Sequence, residues 1–355
     1  MSLVLSRAGR PRASRPVPDD AASRPGVAAG TDARVAAWRA NIGSPVVADT
    51  APALAAPPAA IHVICWNLAV GRARLDLLLD RLGERYGIGR ADGPPFVLLL
   101  QEAYRADGSV PRRAVTPAHG GAIQPARPDD IVDAAIRHGL SLRYVPSMRN
   151  GRSASDRGNA ILSNVAIADH RLLPLPVARQ HRVGVAVTLQ GLADVWFASA
   201  HLDVGGAAPD GPARWRFGAG RAAQARALAA QLVDHARDGC VVVGGDLNTH
   251  AGRFDPAFRE LLRHGFHAPA RTDGGGHTFH GPVRLALDHL LLRSTTRRAR
   301  VLELERIGPC GAWPRARVLG SDHHPLAAIV EIARRDAAAL ASAAVTRTTA
   351  TAASS

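Results

Sequence analysis

Val241-Val242-Val243-Gly244-Gly245-Asp246-Leu247-Asn248 is an apolar run that ends at two glycines and then presents two polar side chains. Three β-branched residues followed by glycines are typical of a buried strand that ends there. Because side chains alternate along an extended chain, we expect Asp246 and Asn248 to lie on the same side at the carboxyl end of this strand. Taken alone, the pattern fits an ordinary strand and turn equally well, so its meaning depends on the rest of the chain.

Apolar periodicity on both sides of this run predicts a mixed α/β fold. Helices are predicted at 75–82, 129–138 and about 212–236. Strands are predicted at 61–66, 96–100, 142–145, 159–163, 165–173, 184–189, 195–200, 241–245, 285–292, 301–307 and 326–332. A strand, a helix and a strand open the domain, whereas successive strands joined by short turns follow later. We therefore expect two mixed β-sheets packed face to face and flanked by helices.

Composition is compatible with a globular protein that binds phosphate. The chain has 355 residues, of which 46% are hydrophobic, enough to bury one large domain or two ordinary ones. All 44 basic residues are arginine, which is typical of compositional bias. Residues 61–333 nevertheless carry 34 Arg against 25 acidic residues, a net charge of +9 that favours a polyanionic partner. Three distant cysteines indicate neither a disulfide framework nor a metal cluster.

The two ends of the chain differ from the middle in composition. Residues 1–60 are rich in Arg, Pro and Ala and are predicted to be largely disordered, apart from a short helical segment whose Trp38 packs on the domain. Residues 61–333 form the predicted catalytic domain, and the Ala/Ser/Thr-rich tail 334–355 is predicted to be disordered or a frayed helix. No secretory signal or transmembrane span is visible, so we expect a cytoplasmic location.

Polar residues recur at the ends of the predicted strands. Each one alone has an ordinary explanation, such as a turn cap, a solvated charge or a hydrogen-bonded core histidine. Their joint recurrence at equivalent positions instead indicates an active site. The set comprises Asn67, Glu102, His201, Asp246, Asn248, Asp288, Asp322 and His323.

Seven motifs containing these residues resemble the endonuclease/exonuclease/phosphatase superfamily. In chain order they are Cys65-Trp66-Asn67-Leu68, Leu100-Gln101-Glu102, Gly158-Asn159-Ala160-Ile161-Leu162-Ser163, Ser199-Ala200-His201-Leu202, Gly245-Asp246-Leu247-Asn248, Leu287-Asp288-His289 and Ser321-Asp322-His323-His324-Pro325. Their order and rough spacing match that superfamily over residues 61–332. The resemblance implies a four-layer α/β sandwich, in agreement with the periodicity.

The resemblance also implies a divalent metal ion. Glu102 and Asp322 are hard oxygen ligands, and Asn67 would add a carbonyl oxygen. Such a set suits Mg²⁺, or Mn²⁺ as the alternative, rather than Zn²⁺. The ion would neutralise a phosphate oxygen and offset charge that builds up in the transition state. Both one-ion and two-ion mechanisms stay open.

Five residues receive catalytic roles by resemblance. Asp246 would orient or deprotonate the attacking water, and Asn248 would hold that water or a phosphate oxygen. His201 and His323 would contact the phosphate and share the acid role toward the leaving oxygen. Asp288 would fix the tautomer of His323.

The chain departs from its relatives at two motifs. Some nuclease branches carry a carboxylate where this chain has Asn159, so His201 lacks that partner unless Asp156 or Asp203 serves. Apurinic-site nucleases lack a histidine like His201 and follow their Gln-Glu with Thr-Lys, whereas this chain has Ala-Tyr at 103–104. A repair nuclease of that branch is therefore disfavoured.

Other charged residues near the motifs have weaker signals. Arg157 and Arg182 could clamp a phosphate, but exposed and solvated arginines are the expected case. Structural or accessory roles are assigned to the histidines that neighbour the motifs, namely His250, His280, His289 and His324.

The leading hypothesis is divalent-metal-dependent hydrolysis of a phosphate ester by in-line water attack, in a monomeric phosphodiesterase or endonuclease acting on nucleic acid. The alternative enzyme is a phosphomonoesterase or lipid phosphodiesterase, of the inositol-phosphate phosphatase or sphingomyelinase type. The lipid case would be favoured by long apolar insertions, and none is visible. A non-catalytic phosphate-binding module is the remote alternative; it would be expected to have lost a metal carboxylate or His323, and this chain has kept both.

Overall fold

The computed structural model describes residues 29–90, 92–114, 128–205, 218–236, 239–295, 299–308 and 317–333. Helices α1 to α5 span Ala29–Arg39, Leu75–Tyr86, Ile131–Arg137, Ala219–Ala236 and Pro256–Arg263. Strands β1 to β14 span, in order, Val46–Ala48, Ala60–Asn67, Phe96–Arg105, Ser141–Arg149, Asp156–Ser163, Ile167–Pro174, Val183–Leu189, Leu192–His201, Cys240–Asp246, Phe279–His280, Arg284–Leu285, Asp288–Ser294, Ala299–Arg306 and Leu326–Ile332.

Two large mixed sheets form the centre of the domain. The seven-stranded sheet has the order β1-β4-β5-β3-β2-β14-β13, and the five-stranded sheet has the order β12-β9-β8-β7-β6. The neighbours β2 and β3 are parallel, as are β8 and β9. The other neighbouring pairs in both sheets are antiparallel. The predicted mixed sheets are thus confirmed.

Apolar side chains of these strands point into different cores. Val63 of β2 and Val242 of β9 belong to the core between the two sheets. Their neighbours face outward: Ile64 packs in the core under α2 and α3, and Val243 packs in the core under α4 and α5. Strands buried on both faces need continuous apolar sequence rather than alternation, which explains the runs at 96–100 and 241–243. The result is the predicted four-layer sandwich.

The two glycines at the end of β9 are required by close packing. A Cβ on Gly244 would lie 2.8 Å from Leu99 Cδ1 in the opposite sheet. A Cβ on Gly245 would lie 2.0 Å from the carbonyl oxygen of Ala200 in the neighbouring strand. Neither position has room for a side chain, so the Gly-Gly pair lets β9 carry Asp246 close to both β2 and β8.

The structure differs from the sequence prediction at the amino-terminal side of the domain. Within the segment 1–60, predicted to be largely disordered, residues 29–60 contain α1 and β1, and β1 pairs with β4. As predicted, Trp38 packs on the domain: its Nε1 donates to the Ser147 carbonyl at 2.5 Å, and its ring stacks on His181 at 3.7 Å. An aromatic anchor and a paired strand order this segment despite its Pro- and Ala-rich sequence. Residues 1–28 lie outside the described residues.

The long helix buries one charged side chain. Arg221 of α4 is fully buried and forms an ion pair with Asp255 at 2.9 Å. Residues 212–217 of the predicted helix and the predicted tail 334–355 lie outside the described residues. Among the helices that the structure describes, none has the length and apolar character needed to cross a bilayer.

Candidate active site

The predicted site residues meet at one edge of the sandwich because both parallel strand pairs end there. Asn67 at the end of β2 is in register with Gln101 of β3, and His201 at the end of β8 is in register with Asp246 of β9. Antiparallel β12 begins at this same edge, where Asp288 pairs with Asp246. Carboxyl ends of parallel strands are common locations of functional groups, since the side chains there converge without interrupting a ladder.

The turn at 321–325 is attached to the same edge. Ser321 Oγ donates to the backbone carbonyl of Asn67 at 2.7 Å, and Trp66 Nε1 donates to the carbonyl of His323 at 2.9 Å. Both hydrogen bonds are buried. They place Asp322 and His323 beside the end of β2, more than 250 residues away in sequence.

Asp246 lies at the centre of the assembled site. Its Oδ2 accepts a hydrogen bond from Asn67 Nδ2 at 3.0 Å, and its Oδ1 accepts one from the backbone N–H of Asn248 at 3.1 Å. The Nε2 atoms of His201 and His323 lie 3.4 and 3.8 Å from Oδ2. Four neighbours therefore converge on one carboxylate that is 3% exposed.

The electrostatics of Asp246 are those of a group able to exchange a proton near neutrality. The pKa of Asp246 is raised to about 7, with burial as the largest cause. The charge of His323 opposes the rise, nearby Asp288 adds to it, and the hydrogen bonds from Asn67 and Asn248 oppose it. A carboxyl with a pKa near 7 can accept a proton from a bound molecule and release it again at physiological pH.

His323 forms a hydrogen-bonded dyad with Asp288. Its Nδ1 lies 2.7 Å from Asp288 Oδ2, and both side chains are buried. Burial lowers the pKa of His323, but Asp288, Asp246 and Asp322 outweigh this effect and raise the pKa to about 10. The imidazole therefore carries a proton on Nε2 as well as on Nδ1, with Nε2 directed toward Asp246.

His201 differs from His323 in its protonation state. Asn248 Nδ2 donates to the Leu202 carbonyl at 3.0 Å, which fixes the orientation of the amide, and the same Nδ2 faces His201 Nε2 at 3.2 Å. An amide N–H facing Nε2 requires that nitrogen to accept, so His201 is neutral with its proton on Nδ1. In agreement, burial lowers the pKa of His201 well below its usual value, and positive charge on Arg182, His323 and Arg157 adds to this.

The two carboxylates considered as partners of His201 are engaged elsewhere. Asp156 is buried in an ion pair with Arg105 at 2.5 Å and also accepts from the hydroxyl of Tyr144. Asp203 accepts from the backbone N–H of Gln180 at 2.7 Å. The carboxylate found beside His201 is that of Asp246 instead.

Asn159, the motif residue that offers His201 no carboxylate, makes a structural contact instead. Its amide donates to the carbonyl of Val183 at 2.5 Å. Its side chain thus links β5 to β7 across the two sheets.

Glu102 is held in an unusual backbone conformation. Its φ is +51°, and the ladder between β3 and β5 shifts register between Leu100 and Ala103. A bulge with a left-handed residue turns a side chain out of the alternation that the strand would impose. Gln101 anchors the bulge, because its amide donates to Ser199 Oγ at 3.0 Å and to the Leu99 carbonyl at 2.9 Å. Backbone strain of this kind persists where surrounding contacts enforce it, commonly at functional sites.

The three residues predicted to bind a metal have the oxygen donors that a hard cation prefers. Glu102 and Asp322 are both partly exposed, and Asn67 is buried at the end of β2. Asn67 Oδ1 accepts from the backbone N–H of Ala69 at 2.9 Å, which leaves one lone pair for a cation.

A second group of ligand atoms lies deeper in the site. The nearest ligating atoms of Asp246, Asp288 and His323 are within 4.8 Å of one another. We read this trio as an acid–base chain rather than a metal site, because a doubly protonated imidazole between two carboxylates has no lone pair to offer.

Two arginines that were predicted to be exposed and solvated are buried in the site. Arg157 and Arg182 are 7% and 3% exposed, and with Glu102 and His201 they line one pocket. Arg157 donates to Asn150 Oδ1 at 2.7 Å, whereas the Nε atoms of both arginines have no partner among the described residues. Burial lowers the pKa of Arg182 and the charge of Arg157 adds to this, while Glu102 opposes it. Two guanidinium groups without an ion-pair partner among the described residues form an anion-binding environment, as the second of the two interpretations of these arginines requires.

The fold and this geometry agree with a family comparison. The family model described as "Endonuclease/Exonuclease/phosphatase family" matches residues 64–323. This chain belongs to the endonuclease/exonuclease/phosphatase family. The resemblance inferred from the seven motifs is thereby confirmed. No curated protein matches the chain.

Solved structures share the fold of this endonuclease/exonuclease/phosphatase protein at low sequence identity. A family member from Beutenbergia cavernae is 15% identical with a TM-score of 0.51, covering 78% of this chain and 72% of that one. One from Bacteroides vulgatus is 12% identical with a TM-score of 0.51, covering 78% and 100%. The human Nocturnin catalytic domain with bound sulfate is 18% identical with a TM-score of 0.49, covering 81% and 97%.

Members of the endonuclease/exonuclease/phosphatase family hydrolyse phosphate esters and diesters, and the family generally uses a divalent metal. The converging carboxylate, the histidine dyad and the arginine pocket are therefore candidate parts of a phosphoesterase site.

Proposed function

We propose that this protein is a divalent-metal-dependent phosphodiesterase that hydrolyses nucleic acid by in-line attack of water. The observation that carries this proposal is the convergence of Asn67, His201 and His323 on Asp246, whose pKa lies at about 7. Such a site contains a proton acceptor and a proton donor on the same small surface, as hydrolysis by water requires.

Asp246 accepts the proton of the attacking water. Asn67 and the backbone N–H of Asn248 hold its two oxygens, so the carboxylate is oriented before substrate binds. The Asn248 side chain, whose Nδ2 is anchored on the Leu202 carbonyl and faces His201, has its Oδ1 left to accept a hydrogen bond from the attacking water.

His323 supplies the proton to the leaving oxygen. It is the protonated histidine of the pair, because Asp288 holds its Nδ1–H and raises the pKa together with Asp246. The neutral His201 instead contacts the phosphate as a hydrogen-bonding group. The two histidines thus have different roles in this proposal, whereas the sequence analysis expected them to share the acid role.

Glu102, Asp322 and Asn67 are the residues that would hold Mg²⁺ or Mn²⁺. When bound, the cation supplies electrostatic stabilisation of the negative charge that develops on the phosphate oxygens. The oxygen donors of these side chains match the preference of both ions.

A diester of nucleic acid is the substrate class that the charges favour. The catalytic domain carries a net charge of +9, and the Arg157 and Arg182 pocket lies next to Glu102 and His201. A nucleic acid places further phosphates beside the scissile one, and arginines next to the centre would attract this added negative charge.

Hydrolysis of bis(p-nitrophenyl) phosphate, compared with p-nitrophenyl phosphate, tests the proposal. We expect hydrolysis of the diester that is abolished by EDTA and restored by Mg²⁺ or Mn²⁺, with much weaker hydrolysis of the monoester. Single-stranded and duplex DNA and RNA are assayed next. Activity confined to the monoester would establish the phosphatase alternative, and activity that persists in EDTA after exhaustive chelation would contradict the metal requirement.

Arg182→Met is expected to raise KM for a nucleic-acid substrate roughly 10-fold or more, with a smaller effect on kcat, because one charge-assisted phosphate contact contributes about 1.5–3 kcal/mol. The matched control is Arg81→Met, which removes an exposed arginine of α2. Steady-state kinetics at two salt concentrations check the result, since loss of a phosphate contact also reduces the salt dependence. An unchanged KM would show that the pocket does not bind substrate phosphate.

A further inference from the structure

Three histidines outside the proposed catalytic set form a second cluster. His280 is the last residue of β10, and His277 lies two residues before this strand begins. His324 belongs to the turn at 321–325, directly after His323. The rings of His277 and His280 are 4.8 Å apart, as are those of His280 and His324, while His277 and His324 are 5.7 Å apart. One ring nitrogen from each histidine lies within 4.8 Å of the other two.

Two of these histidines are buried with unpartnered ring nitrogens. His280 is 3% exposed, and neither of its nitrogens has a hydrogen-bond partner among the described residues. His324 is 0% exposed; its Nδ1 lies 3.2 Å from the carbonyl oxygen of Ile307, and its Nε2 has no partner in the same part of the chain. A buried polar group without a partner destabilises the fold, so a ligand that binds these nitrogens would stabilise the arrangement.

The arrangement at His324 is typical of a metal-binding histidine. Because a carbonyl can only accept, His324 donates its Nδ1–H to Ile307 and directs the lone pair of Nε2 into the cluster. Ligating histidines commonly donate their second nitrogen to a carbonyl in this way, which fixes tautomer and orientation.

We propose that His277, His280 and His324 form a transition-metal site that binds Zn²⁺ or a similar d-block divalent cation. Three imidazole nitrogens favour such a cation over Mg²⁺, which prefers oxygen ligands. Half-buried His277 gives access from solvent, and water completes the coordination. This site is separate in ligand chemistry from the oxygen site of Glu102, Asp322 and Asn67.

Positive charge around the cluster opposes cation binding and limits its strength. Arg306 and Arg284 both act on the histidines, and the carboxylate of Asp273 partly compensates, since it pairs with Arg271 at 2.5 Å and lies 3.9 Å from Arg306. Affinity therefore rests on the three nitrogen ligands rather than on net charge.

A cation bound at this site would restrain the turn at 321–325, which carries Asp322 and His323. The backbone N–H of His280 donates to the Asp322 carbonyl at 2.7 Å, and that of His324 donates to the Thr278 carbonyl at 2.7 Å. A cation held by His280 and His324 would add a third link between these two segments. Asp322 and His323 lie in the turn that is restrained in this way.

Titration of the chelator-stripped protein with Co²⁺ in the presence of saturating Mg²⁺ tests the proposal. We expect one equivalent of Co²⁺ to bind with the intense visible absorption of four- or five-coordinate cobalt, and Zn²⁺ to displace it. His280→Gln and the half-buried His277→Gln are expected to lose this absorption. The midpoint of thermal unfolding should rise with Zn²⁺ in the wild type and stay unchanged in both variants.

Two further variants separate this site from the catalytic centre. Glu102→Gln removes a candidate metal ligand of the centre and Asp246→Asn removes its proposed proton acceptor, and both variants are expected to retain the cobalt absorption. The exposed His267→Gln serves as the control for a histidine outside both sites. Absence of the absorption in the wild type, its persistence in both His277→Gln and His280→Gln, or its loss in Asp246→Asn would overturn the assignment.

Discussion

Asp246→Asn is expected to lower kcat for diester hydrolysis by roughly 100-fold or more, the scale found when one group directed at the transition state is removed. An amide at this position cannot accept a proton from water. It also removes the negative charge that lies 3.4 and 3.8 Å from the two histidines. Substrate binding should change less than kcat, because the phosphate-binding arginines stay in place.

Steady-state hydrolysis of bis(p-nitrophenyl) phosphate measures this loss, and circular dichroism with thermal unfolding verifies the fold. Asp80→Asn, at an exposed position of α2, is the matched control and should retain full activity. Turnover within a few-fold of wild type in Asp246→Asn would remove Asp246 from the mechanism.

His323→Ala is expected to lower the rate of hydrolysis by roughly 100-fold or more, since general acid catalysis by a positioned histidine contributes about 100- to 10,000-fold. The imidazole is the protonated group beside Asp246, and its removal leaves the leaving oxygen without a donor. The loss should be larger for a nucleic-acid leaving group than for p-nitrophenolate, which departs without a proton. Comparison of the two substrates therefore reports on the acid role itself.

A structural effect of this substitution is controlled separately. Removal of His323 leaves the carboxylate of Asp288 buried without its 2.7 Å partner, which destabilises the site. His323→Gln keeps most of the volume and a hydrogen-bond donor, and it should fold normally while losing the acid function. His267→Ala is the control for a histidine outside the site. Equal rate losses for both leaving groups would contradict proton donation by His323.

The sequence by itself determined the architecture and the inventory of the site. Apolar runs on strands buried on both faces, together with helical periodicity at 75–82, are local properties that can be read residue by residue. The seven motifs then placed Asp246 and the other predicted site residues at strand ends. These residues share one edge of the sandwich because parallel strands end at the same edge of a sheet. For Arg157 and Arg182 the sequence left a phosphate clamp as the second interpretation and favoured solvated side chains, because periodicity does not reveal which surface a side chain near a strand end will meet.

Only the tertiary structure decided how these residues act on one another. The hydrogen bond between Asp288 and His323 and the amide that faces His201 join segments 35 and 47 residues apart. Protonation state depends on those contacts and on burial, so it cannot be inferred from residue type.

The segment at 29–60 and the histidine cluster likewise depend on contacts between distant residues, which the sequence alone does not reveal. Trp38 is ordered by the carbonyl of Ser147, 109 residues away, which local composition cannot indicate. His280 and His324 meet because β10 pairs beside the catalytic turn. Local chemistry specifies which groups are present, whereas long-range register and packing decide which of them share a proton, an anion or a metal.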